Sequence, residues 1–245
     1  MRLIFDFLRN SLIVIFLGYA VIFSESVLAK SGKKTHPVKK VDVTPNTNDN
    51  DIWTLTLESD IYETTNYLNP IIDFSASNGW DVQMAFYSIP LYGGGAQNYE
   101  WDSYINLSKT FDINPYLKAL AGSQNGTTLF SEPRQWHNFN YGLLIVQPLA
   151  FINLHGGPYW ANKALSTTTD VVGYTTGFAV DLIKDKLSFQ GDYFSGHCNV
   201  SGAVVNLFYR LLPKVQVYMG VSVPETDSGN EFYGLLGVSV ASKSL

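Results

Sequence analysis

Three groups of residues have types and spacings that could support chemistry. The first is Ser75-Ala76-Ser77-Asn78-Gly79, serines followed by an amide and a glycine. A serine hydroxyl becomes a nucleophile only when a nearby base takes its proton. Two positions before Ser77 stands Ser75, which cannot act as that base, so the stretch reads as a turn: Asn-Gly tolerates positive φ and closes hairpins. The second group is His155 with Glu58, Asp60 and Asp192, an imidazole and carboxylates that a fold could gather for general acid–base work. Set against it is plain hydrogen bonding at an external rim, beside Gly156-Gly157. The third is His197-Cys198. Zinc takes about four ligands, so this pair makes no metal site, and a lone cysteine makes no disulfide within the chain. Gly93-Gly94-Gly95 lacks the Lys-Ser/Thr of a phosphate-binding loop. No catalytic residue, metal or cofactor is expected from these patterns.

These residues sit on runs whose side chains alternate. Val172, Tyr174, Thr176, Phe178, Val180 and Leu182 are mostly large or apolar; Gly173, Thr175, Gly177, Ala179 and Asp181 between them are small or polar. Successive strand side chains point to opposite faces, so the segment is a ribbon with one greasy and one small or polar side. The pattern returns in 187–193 and 215–223, and earlier in 52–62, 70–76, 80–87 and 101–107. Residues 116–123 form the least regular run, and 124–134 reads as a long polar loop. In 136–145, Phe139, Tyr141, Leu143 and Ile145 are expected to face lipid, away from Asn138, Asn140 and Gly142, which puts His137 on the lipid-facing parity. With 149–157 and 231–241 the runs make about twelve strands. Many are ~9–11 residues long, enough to cross a bilayer at a tilt and longer than the mean soluble strand. Connections near residues 78, 112, 147, 184 and 213 are tight, and most others are longer and more polar.

Residues 1–29 have the parts of an export signal: Arg2 and Arg9, an apolar core over 12–23, and Val27-Leu28-Ala29, with cleavage expected after Ala29. Residues 30–51 are rich in Lys, Thr, Asn and Asp without periodicity, and read as a disordered basic periplasmic tail. The remainder, 52–245, holds 9 Lys/Arg against 16 Asp/Glu, which argues against nucleic acid as a partner. Charged residues are 15 % of the chain, against about a quarter in ordinary soluble domains, as expected of a surface facing lipid.

After Ala29 the chain resembles the Gram-negative outer-membrane β-barrels as a class. The resemblance implies an all-β, antiparallel up-and-down transmembrane β-barrel of about twelve strands, with tight periplasmic turns, longer external loops and both termini in the periplasm. It also implies contact with outer-membrane lipid and lipopolysaccharide, and insertion by the barrel-assembly machinery. The chain departs from the class at its end, Ala241-Ser242-Lys243-Ser244-Leu245, where such barrels usually finish on an aromatic residue. The twelve-stranded outer-membrane phospholipases carry His-x-Ser-Asn-Gly, and this chain has Ser75 at the histidine position.

With the bulky face on lipid, the other face lines a lumen, for which Glu58, Asp102, Asn140, His155, Lys186, Asp192 and Arg210 are the candidate lining residues. Trp53, Trp80, Trp101 and Trp136 fall at strand ends, as interfacial anchors do. Acids outnumber bases on the inner face, so a wet lumen favours cations or neutral polar solutes. The function expected is a narrow channel or facilitator for small polar or cationic solutes. The alternative is a non-transporting surface barrel whose loops at 89–99, 124–134 and 159–170 bind partners; a lipolytic barrel enzyme using His155 stands third.

Overall fold

The computed structural model describes residues 51–92, 101–129, 134–165, 171–197, 200–226, 228 and 230–243. The expected signal, and the expected tail apart from Asp51, lie outside them. Alternation sets the strands, and tight turns set their order: β1 (Ile52–Ile61), β2 (Asn66–Ser75), β3 (Trp80–Tyr87), β4 (Ile89–Tyr92), β5 (Trp101–Asn114), β6 (Leu117–Leu129), β7 (Trp136–Leu149), β8 (Ile152–Ala161), β9 (Val172–Ile183), β10 (Leu187–Phe194), β11 (Gly202–Leu212), β12 (Val215–Pro224) and β13 (Tyr233–Ala241). Both β3 and β4 pair with β2. They are two pieces of one stave, broken at Ser88, whose φ of 64° cannot continue a strand. Thr54 of β1 lies opposite both Asp73 of β2 and Ala241 of β13, so the sheet closes on itself as a barrel of twelve antiparallel staves. Closure pairs every stave on both sides and leaves no edge.

One end of the barrel carries the tight turns. At the β2–β3 turn Gly79 adopts φ 86° and donates its N–H to Ala76 O at 3.0 Å, while the Asn78 side chain accepts from Trp80 N at 3.3 Å. Ser75 thus ends β2 and Ser77 lies in the hairpin turn, where its N–H donates to Asp51 at 3.1 Å. Two expected turns shift: 111–114, expected in a turn with Pro115, extend β5 so that the chain reverses at 115–116, and the reversal expected at Gln147-Pro148 falls at 150–151. Residues 124–129, expected in a polar loop, extend β6 instead: Gln124–Leu129 pair with β5, and Gln124–Thr127 also with β7. Residues 159–161, also expected in a loop, close β8.

Facing follows from exposure. Val172 is 66 % exposed and Thr175 3 %, and the same division holds for Leu55, Leu57, Met84, Ile105, Leu107 and Met219 outside against Thr54, Thr56, Gln190 and Gln216 inside. An apolar belt of this size cannot face water, and water-facing apolar patches of soluble monomers are far smaller. Trp53 and Trp80 mark the belt at the tight-turn end, and Trp136 and Trp160 at the loop end. The Trp101 side chain lies outside the described residues.

The parity expected for β7 is reversed. Trp136 is 60 % exposed and His137 6 %; Phe139, Leu143 and Ile145 are buried inside, and Leu144 and Val146 face lipid. A row of apolar residues shows that one face is dry without showing which, and here the dry contents are inside the barrel.

Candidate functional site: the barrel interior

Inward side chains divide the interior into three zones. Near the loop end, Phe139, Tyr159 and Ala161 form an apolar cluster with Leu165, which is 5 % exposed and carried inward by the short 3-10 turn Lys163–Leu165. Phe139 and Tyr159 stack with ring centroids 5.0 Å apart, and Phe194 packs on both. The Tyr159 hydroxyl donates to Ser195 O and so ties this cluster to the chain beyond β10.

Below and beside the cluster lies a cavity of about 390 Å³ lined by Asp73, Asp81, Gln83, Asn106, Ser108, Gln124, His155 and Asp192, with Tyr141 and Phe139 on its apolar side. A second cavity of about 180 Å³ is lined by Thr54, Thr56, Glu58, Asn206, Phe208, Gln216 and Tyr218. Asp73 and Gln83 border both, so the two adjoin at a wall where Gln83 Nε2 donates to Asp73 Oδ1 at 2.8 Å.

Several tyrosines lie flat on the wall, because the opposite residue on the next strand is glycine. Tyr141 faces Gly122, Tyr104 faces Gly126 and Tyr218 faces Gly237 in register. A Cβ at Gly122 would come within 2.3 Å of the Tyr141 ring, and one at Gly237 within 2.1 Å of Tyr218. Each missing side chain makes a recess that holds a ring against the sheet. The hydroxyls are aimed: Tyr218 donates to Glu58 at 2.6 Å, and Tyr141 is paired with Asn106 at 3.0–3.2 Å.

Glu58 and Asp60 point inward side by side. Asn69, buried to 1 % exposure, donates to Glu58 at 3.3 Å and to Asp60 at 2.8 Å, while its oxygen accepts the Ser88 N–H at 3.0 Å. One asparagine therefore binds both acids and satisfies the backbone where the β3–β4 stave breaks. At the loop-side turn, Tyr62 stacks on Tyr233 at 4.8 Å; burial, and then the neighbouring Tyr233, push its hydroxyl pKa up, so it stays a neutral donor.

Among the expected lining residues, Glu58, Asp102, His155, Asp192 and Arg210 point inward. Asp102 accepts from Thr128 at 2.8 Å, and Arg210 lies opposite buried Gln216. His155 Nε2 lies 2.8 Å from Asp192 Oδ1, across Gly177, where any Cβ would come within 2.5 Å of both side chains. The imidazole is three residues in from the tight-turn end of β8, not at the external rim. Two placements are corrections. Asn140 shares the reversed parity of β7 and pairs with exposed Trp160 on the outside. Lys186 belongs to the β9–β10 turn, its ammonium 5.6 Å from the ring of outward Tyr209, which is a rim position. Sequence reasoning did not single out Asn69 or Asp73; the alternation of β2 placed Asp73 inside, while Asn69 preceded the first residue given to that strand.

Among the described residues no cluster of three or more His, Cys, Asp or Glu could hold a metal ion. Ser77 belongs to the tight turn and His155 to the wall, so no nucleophile–base pair forms from them. The interior can hold water, accept hydrogen bonds and attract positive charge.

Fold and interior together define a closed twelve-stave transmembrane β-barrel of the outer-membrane, porin-like type. No family model and no curated protein matches the sequence. Solved structures do match. The KdgM porin in complex with disordered oligogalacturonate is 13 % identical with a TM-score of 0.55, covering 76 % of this chain and 98 % of that one. The NanC porin is 10 % identical with a TM-score of 0.55, covering 79 % and 100 %. An outer membrane channel from Pseudomonas putida F1 is 10 % identical with a TM-score of 0.51, covering 83 % and 98 %. At these identities the likeness is one of fold.

Proposed function

We propose that this chain is a narrow outer-membrane channel for small cationic or neutral polar solutes, with both termini in the periplasm. The observation that carries it is the pair of adjoining cavities, about 390 and 180 Å³, bordered in common by Asp73 and Gln83, with carboxylates, amides and hydroxyls set among aromatic and aliphatic side chains on their walls. Glu58, Asp73, Asp81 and Asp192 border these cavities, and Asp60 and Asp102 point inward beyond them, against Lys118 and Arg210 as inward bases. Carboxylates in a confined lumen concentrate cations and repel anions. An acidic polymer such as the oligogalacturonate bound by the KdgM porin suits this interior poorly, so the fold likeness does not extend to that solute. In this reading the lipid face meets lipopolysaccharide and phospholipid, the barrel-assembly machinery inserts the chain, and the expected signal is removed after Ala29.

The non-transporting alternative draws on the cluster under Leu165, which fills one side of the loop-end mouth. Liposome swelling separates the two. The channel reading expects swelling with a small sugar and with a cationic amine, slower with a uronic acid. A heat-modifiable, folded barrel that gives no swelling with any of them refutes the channel; faster entry of the uronic acid refutes the charge argument.

A further inference from the structure

Toward its loop end the outward face of β6 and β7 carries a row of amides, where Leu, Ile, Met and Val side chains make up most of the belt. Asn125 Nδ2 donates to Ser123 Oγ at 3.0 Å, Asn138 Nδ2 to Asn125 Oδ1 at 2.6 Å, and Asn140 Nδ2 to Asn138 Oδ1 at 2.6 Å. The register fixes the facing of this ladder. Asn125 lies opposite exposed Ile105, Ser123 opposite exposed Leu107 and Asn140 opposite exposed Trp160, while His137 and Phe139 on the other parity are buried inside. Exposed Trp136 stands above it and exposed Leu144 and Val146 below. Asn140 is four residues in from Trp136, about 13 Å along the strand and roughly 10 Å of depth at a ~40° tilt. The ladder is therefore an island of amides inside the hydrocarbon belt.

We propose that this island is the centre of a contact between two copies of the chain within the bilayer. Each amide offers two N–H groups, and each of the three asparagines uses one of them inside the ladder. The others, with Asn140 Oδ1, must find partners, and acyl chains offer none; a polar group left bare in hydrocarbon is costly. The four ladder residues bear no charge, so they offer nothing to a lipid phosphate. An amide is donor and acceptor at once, which makes the patch complementary to itself across a two-fold axis. Close approach is open as well: below the ladder the outward positions include Ala119 and Ala121, and a Cβ at Gly142 would meet nothing nearer than 3.9 Å. Small residues at such a place let two walls pack closely.

The test uses the full chain in outer membranes, in a Cys198→Ser background so that only introduced thiols react. Asn138→Cys and Asn140→Cys are oxidised in parallel with Met219→Cys, on β12, which is exposed to lipid. The account expects a covalent species of twice the chain mass from at least one of the ladder positions and none from Met219→Cys. A second variant, Asn125→Leu/Asn138→Leu/Asn140→Leu, keeps the belt apolar; in nanodiscs its self-association should weaken about 30-fold while heat-modifiability is retained. The proposal is overturned if neither ladder cysteine doubles the mass, if the cross-linked product contains a different protein, or if the leucine variant associates as tightly as the parent. Lipopolysaccharide held by the parent monomer and lost from the leucine variant would overturn it too, by making the occupant a lipid.

Discussion

Gly237→Ala is the sharpest test of how the glycine recesses seat the inward tyrosines. A Cβ at this position would lie 2.1 Å from Cζ of Tyr218, where ordinary contact begins near 3.4 Å, so the ring must lift from the wall by about 1.3 Å or more. Lifting carries the hydroxyl away from Glu58, now 2.6 Å distant, and into the 180 Å³ cavity that both residues line. Overpacking of this kind costs about 1–3 kcal/mol and a lost hydrogen bond to a carboxyl group about 1–3 more, so destabilisation of about 2–6 kcal/mol is expected. Gly234→Ala on the same strand is the control, because its nearest neighbours would be 3.9 Å from the new Cβ. Urea midpoints of the refolded barrels in lipid read the stability, and single-channel conductance reads the lumen. Gly237→Ala should lower both, and Gly234→Ala neither. Equal midpoints and equal conductance for the two would refute the idea that glycine recesses hold the tyrosines against the wall.

Asn69→Ala should destabilise the barrel by about 3–5 kcal/mol in the same titration, since it removes this partner from Asp60 and from the Ser88 N–H and leaves Glu58 with Tyr218 alone. Asp73→Asn keeps the shape and the bond to Gln83 but removes a carboxylate bordering both cavities; the ratio of potassium to chloride permeability should fall about two- to threefold. Leu165→Ala empties part of the cluster with Phe139 and Tyr159, and conductance should rise as the loop-end mouth widens. Unchanged conductance would place the constriction elsewhere.

Much of the wall was legible because lipid imposes a strict period of two. Val172–Leu182 and Val215–Val223 read correctly from alternation, since one face had to be uniformly bulky. The failures have a common cause: the inside is not uniformly polar. In β7 the lumen takes Phe139, Leu143 and Ile145 while the outside takes Asn138 and Asn140, so hydrophobicity pointed the wrong way. β6 was cut short because its second half is rich in Gly, Asn and Thr, turn-like on its own; only the Tyr104 ring held over Gly126 explains a glycine there in a strand. Lys186 was assigned inward by parity, which ends where the β9–β10 turn begins. Parity put His155 in one group with Glu58, Asp60 and Asp192; that Asp192 is the partner, 37 residues away and reached across Gly177, follows from strand register, which no local pattern encodes.

The central claim is that the inner face encloses a continuous, acid-lined aqueous path. The reversal potential of the wild-type protein in a planar bilayer under a tenfold potassium chloride gradient tests it most directly. The account predicts stable current whose reversal potential has the sign of cation selectivity. Chloride selectivity, or no current from a protein that migrates as a folded barrel, would contradict it.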